Sequence, residues 1–143
     1  MDTVYIETSI VSHATALPSP DIQIAVLQQQ ARLWWSRERP NFELVTSQLV
    51  LNEAAAGDPS AAAERLKMLD GLPTVPITED VRTLARAIVS ASMMPPNAAA
   101  DALHVAAAAV AGLQYLLTLN CRHIANAHEL PRVYRLLEEH GYG

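Results

Sequence analysis

The chain has one cysteine, Cys121, in 143 residues. That excludes an internal disulfide and a zinc site built on thiolates. It has one lysine, Lys67, so its positive charge is almost all arginine. Glycine is scarce, with five residues, and no glycine-rich loop runs into Lys and Ser or Thr, which excludes a P-loop nucleotide hydrolase. No Gly-x-Ser-x-Gly occurs, which excludes a nucleophile-elbow hydrolase. Apolar runs fall short of the ~18 residues that span a bilayer, because Asp, Glu, Arg, Gln or Pro interrupts each one. Met1-Asp2-Thr3-Val4 is acidic and does not read as a signal peptide. The expectation is a soluble cytoplasmic protein with no membrane partner.

What the sequence does contain is enough apolar matter for a core. Half the residues are hydrophobic and 17% are charged, which excludes intrinsic disorder. The length fits one domain, residues 1–143, since single cores commonly close at ~100–150 residues. A net charge of −5 argues against a dedicated nucleic-acid-binding module, whose footprint is basic. It is compatible with an enzyme that gathers carboxylates in one metal pocket.

The pattern alternates strands with helices. Val4-Tyr5-Ile6 predicts a buried first strand. Asp21 caps a helix from Ile22, with Ile22, Val26, Leu27, Leu33 and Trp34 at helical spacing until Pro40. Phe42 to Thr46 reads as a second strand, and Ser47 as the cap of a helix that carries Val50, Leu51 and Ala54 and stops at Gly57. Asp58-Pro59 opens another helix, closed by Gly71, and Thr74 to Ile77 is an edge strand or a strand end. Thr78 caps a helix through Ser90, Met94 to Asn97 is a loop, and an alanine-rich helix runs from Ala98 to Val110. Tyr115 to Leu119 is the fourth strand, followed by a short helix from Arg122 and a longer one from Pro131 to His140. This alternation predicts an α/β fold, a parallel sheet covered on both faces.

In such sheets ligands bind beyond the carboxyl ends of the strands. Glu7 follows the first strand, Glu53 lies in the helix after the second, Asp101 opens the alanine helix and Asn120 follows the fourth strand. Three carboxylates and an amide are the hard oxygen ligands that magnesium and manganese prefer. Converging carboxylates repel one another, and a divalent cation removes that cost. Such an ion can activate water, polarise a phosphoryl group and stabilise the leaving oxygen, the chemistry of a phosphodiesterase.

The ordered set Val4-Tyr5-Ile6-Glu7-Thr8-Ser9, Glu53, Asp101-Ala102-Leu103-His104-Val105-Ala106 and Leu117-Thr118-Leu119-Asn120 resembles the PIN-domain family. Within it, Asn120-Cys121-Arg122-His123-Ile124-Ala125-Asn126-Ala127 is similar to the VapC-type toxins of bacterial toxin–antitoxin pairs. The resemblance implies a three-layer α/β/α sandwich and a ribonuclease that uses Mg2+ or Mn2+ to cut RNA. It also implies frequent homodimers and inhibition by a small antitoxin. The family's site positions map onto Glu7, Glu53, Asp101 and Asn120, as catalytic residues and metal ligands. Two of these depart from the commonest pattern. Glu7 stands where the family usually has Asp, and the neutral Asn120 stands where it often has Asp.

Each residue also has a plainer reading. Asp101 suits a helix N-terminus, Glu53 suits a solvated helix face, and Asn120 reads equally as a strand-ending turn residue. Thr8 and Ser9 read first as caps, and His104, one turn after Asp101, as a packed group behind the site rather than a base. Arg32, Arg37 and Arg39 read by default as a solvated face, and Trp34 and Trp35 as core or dimer surface. A response-receiver domain is the nearest rival fold, but Lys67 sits mid-chain in a helix, so its lysine role is vacant. The other alternative is a non-catalytic PIN-like scaffold with a degenerate metal site.

Overall fold

Thr3-Val4-Tyr5-Ile6 forms strand β1 (Thr3–Ile6), whose last three residues are buried because strands flank it on both sides. The structure, a computed structural model, describes residues 1–91 and 98–119. After β1 come α1 (Thr8–Thr15), α2 (Ile22–Arg37), β2 (Glu43–Ser47), α3 (Gln48–Ala54), α4 (Pro59–Leu69) and β3 (Thr74–Val75). They are followed by α5 (Glu79–Ser90), α6 (Ala99–Val110) and β4 (Tyr115–Leu117).

The strands form one parallel sheet in the order β3-β2-β1-β4. Val4 pairs with Leu44 on one side and with Tyr115 on the other, so β1 is central. The chain moves outward from β1 to β2 and β3, then returns past β1 to lay down β4. Right-handed crossovers in opposite directions put helices on opposite faces. Accordingly α1 packs with α2, α3 and α4, while α5 packs on α6. The result is the α/β/α sandwich of the sequence reading. The direction of winding reverses between β1 and β4, which opens a crevice at their carboxyl ends.

The helix starts follow the sequence. Asp21 accepts from the N–H groups of Gln23 and Ile24, Ser47 from Val50, Asp58 from Ala61 and Thr78 from Val81. Pro59 sits in the first turn of α4, where no N–H is needed. Gly112, at φ 69°, takes the left-handed conformation that turns α6 toward β4. The strands end sooner than Ile77 and Leu119, and at β3 the reason is Pro76, which has no N–H to give the ladder.

Two elements differ from expectation. The residues after Glu7 form a full helix, α1, with Ile10 and Val11 buried, where the sequence reading had only a capped segment. In α2 part of the apolar stripe faces outward: Ile22 is 81% exposed and Val26 47%, with Leu33 also exposed. Leu27 and Trp34 are half-buried, Trp34 against the core, and Gln28 and Ala31 are buried. Gln28 is held there by Leu17 and Ser19, accepting from the Ser19 N–H and donating to the Leu17 carbonyl, which satisfies its polar ends. The expected loop from Met94 to Asn97, Asn120 and the helices from Arg122 and Pro131 lie outside the described residues. Among the described residues, no helix is long and apolar enough to cross a membrane.

Candidate metal centre

The crevice between β1 and β4 is lined by oxygen. Glu7 leaves the end of β1 in extended conformation and its backbone N–H still bonds to the Leu117 carbonyl, 3.2 Å away. Its side chain then turns back as the N-cap of α1. Oε2 accepts from the Ser9 N–H at 3.1 Å, and Oε1 accepts from the Ser9 hydroxyl at 2.5 Å and the Thr118 hydroxyl at 2.6 Å. Ser9 in turn accepts from the Leu119 N–H at 2.8 Å, so the segment after β4 is laced to α1. Buried and held by three donors, Glu7 has one orientation.

Glu53 arrives from the other side. It sits near the end of α3, and Oε1 accepts from the Thr8 hydroxyl and from His104 Nε2, the latter at 2.8 Å. Burial pushes its carboxyl up, but the hydrogen bonds from His104 and Thr8 outweigh that and hold it below the ordinary carboxylate range. Glu53 therefore carries its charge at neutral pH.

Behind Glu53 lies a buried chain of polar side chains. His104 Nδ1 is 2.7 Å from the Tyr5 hydroxyl, which is 2.7 Å from the Ser47 hydroxyl, and Ser47 Oγ accepts from the Val50 N–H at 3.2 Å. Tyr5, Ser47 and His104 are fully buried. Burial pushes the Tyr5 phenol far up, opposed by its Ser47 bond and reinforced by the Glu53 and Glu7 charges, so Tyr5 stays protonated.

Glu7, Glu53 and His104 each offer an atom within 4.8 Å of the others, a grouping that could hold a metal ion. The donor set fits a hard divalent cation. Two carboxylates lie side by side at one crevice, and among the described residues no lysine or arginine forms an ion pair with either. A cation is the natural counter-charge. Of the four residues expected at the site, Glu7 and Glu53 are thus brought together. Asp101 is half-buried in the first turn of α6, one turn before His104 on the same side of the helix. Asn120 lies outside the described residues. The sequence reading placed His104 behind the site, and the structure puts it in direct contact with Glu53. Tyr5 and Ser47 were read only as strand and cap, although a tyrosine in a buried strand must find a partner for its hydroxyl.

Comparison with known protein families gives a match to the PIN domain over residues 4–130. The chain belongs to the PIN-domain family. Neither the curated proteins nor the solved structures yielded a match. PIN domains are in general metal-dependent nucleases, which agrees with the paired carboxylates of this chain.

Proposed function

We propose that this PIN domain, a single unit over 1–143, is a Mg2+- or Mn2+-dependent endoribonuclease, the toxin of a VapC-type toxin–antitoxin pair acting in the cytoplasm. The observation that carries this reading is the pair Glu7 and Glu53, buried to different depths, oriented by separate donors and, among the described residues, in no ion pair with a lysine or arginine. A divalent cation held there by the two carboxylates, with Asp101 and Asn120 as further ligands or water-holding groups, supplies the activation of water and the stabilisation of the leaving oxygen.

The chain's own contribution is positioning. Ser9 and Thr118 fix the Glu7 carboxylate, and Thr8 and His104 fix that of Glu53. The crevice lies at the reversal point of the sheet, where parallel sheets of this kind bind their ligands. Among the described residues, the serine that touches these carboxylates is Ser9. Ser9 is committed to Glu7 and to the Leu119 N–H, which supports direct attack by water.

Two partners complete the proposal. The outward stripe of Ile22, Val26 and Leu33 on α2 supports contact with a second copy or with a small antitoxin, because such a stripe on a surface helix marks an interface. The experiment that tests the function is cleavage of single-stranded RNA with magnesium, with and without chelator. Metal-dependent cleavage is expected, and RNA left intact under both conditions would favour the non-catalytic scaffold.

A further inference from the structure

His104 has the chemistry of a metal ligand and the geometry to reach the carboxylates, yet its hydrogen bonds assign it another task. Protons along the buried chain have only one consistent arrangement if every donor is to be used. At one end the Val50 N–H can only donate, so Ser47 Oγ accepts. At the other end the Glu53 carboxylate can only accept, so His104 Nε2 carries a proton and donates it. Between them, the Ser47 hydroxyl donates to the Tyr5 oxygen and the Tyr5 hydroxyl donates to the bare Nδ1 of His104. Each hydrogen then has one acceptor.

The alternatives break this chain. A metal on Nε2 requires that nitrogen's lone pair, which moves the ring proton to Nδ1. Nδ1–H would then donate to Tyr5, and Tyr5 to Ser47. The Ser47 hydrogen would be left without an acceptor among the described residues, in a position with no access to water. A doubly protonated ring meets the same dead end.

We propose that Ser47 and Tyr5 lock His104 in the Nε2–H tautomer, so that His104 is a positioning residue that aims Glu53 at the cation and does not itself ligate it. This rests on the metal reading above. It gives the site an all-oxygen ligand set and hence a preference for magnesium over imidazole-seeking ions such as cobalt or zinc. Hydrogen bonding from a neighbouring group to a ligating carboxylate commonly alters metal affinity ~10–100-fold when it is removed.

The test is a nitrogen-15 NMR spectrum of the histidine side chains in the intact protein, first metal-free and then titrated with magnesium. His104 is expected to show a protonated Nε2 and a bare Nδ1 in both states. A proton on Nδ1 in the metal-free protein, or loss of the Nε2 proton on magnesium uptake, would overturn the lock. If the tautomer is as expected but no magnesium is taken up, the metal reading falls and the positioning role falls with it, a result distinct from the first two. The second measurement is the ratio of magnesium to cobalt affinity in Tyr5→Phe, by calorimetry. The ratio should fall at least ~10-fold as the ring loses its lock. A purely structural role for Tyr5 would lower the melting temperature and leave the ratio unchanged, and that outcome would also overturn the proposal.

Discussion

His104 Nε2 lies 2.8 Å from Glu53 Oε1 and ties α6 to α3 across the carboxyl end of the sheet. Those helices lie on opposite faces, so the bond joins the two outer layers at the point where the crevice opens. The layers on which the site depends are fastened by one of the site's own residues.

The state of Glu53 sets an acid limb. Its folded carboxyl is held below the ordinary 4.5, so on acidification the unfolded chain takes up that proton first. The stability this contributes is present above about pH 4.5 and is lost as the pH falls through the depressed folded value. Melting temperatures of metal-free wild type and Glu53→Gln, from about pH 7 to about pH 3, should show a flatter decline in the variant. Parallel declines would mean that the folded carboxyl is not held down.

Tyr5 sets the opposite limb. Its folded phenol is raised above the ordinary 10.0, so its contribution is full below about pH 10 and is lost as the pH climbs through the folded value. Tyr5→Phe should be less stable at neutral pH by ~1–3 kcal/mol, since Ser47 and His104 lose a buried partner. It should also fall off less steeply in alkali. Urea denaturation across the alkaline range reads both effects, and an unchanged neutral stability would contradict the buried chain.

Asp101 and Asn120 are tested by magnesium. Asp101→Asn should abolish RNA cleavage, keep the fold and gain little melting temperature from the ion. Asn120→Asp adds a negative charge and should gain more than wild type. A single site saturated to ~100 times Kd stabilises by about 2.7 kcal/mol, ample to resolve in a thermal scan. Equal gains in all three proteins would remove Asp101 and Asn120 from the site.

The α2 stripe carries the prediction on assembly. Wild type should sediment as a dimer at micromolar concentration and Val26→Glu as a monomer, with stability unchanged within ~0.5 kcal/mol because Val26 is exposed in the single chain. The same sedimentation behaviour in both proteins would show that this face does not join copies of the chain.

The sheet was legible in the sequence because β1, β2 and β4 are short β-branched or leucine runs, and because Asp21, Ser47, Asp58 and Thr78 each stand where a helix begins. Glu7 was legible as a candidate because an acid just after a buried strand has few structural uses, and Glu53, near the end of α3, only as a member of the ordered set of acids. α1 was hidden because its cap is Glu7, a residue outside the usual Ser, Thr, Asp and Asn set. The inside of α2 was only partly legible: Trp34 of the apolar stripe does pack on the core, but Ile22, Val26 and Leu33 face out. Gln28 reverses the expectation by burying an amide whose bonds are met within the chain. The link from Ser47 to His104 joins residues far apart in sequence, and no local pattern announces it.

On the proposed function, Glu7 and Glu53 together hold a divalent cation. Calorimetric titration of magnesium into wild type and into the double variant Glu7→Gln/Glu53→Gln tests it most directly. A saturable binding heat is expected in wild type and none in the double variant, with the variant still folded by circular dichroism. The same binding heat in both proteins would contradict the account.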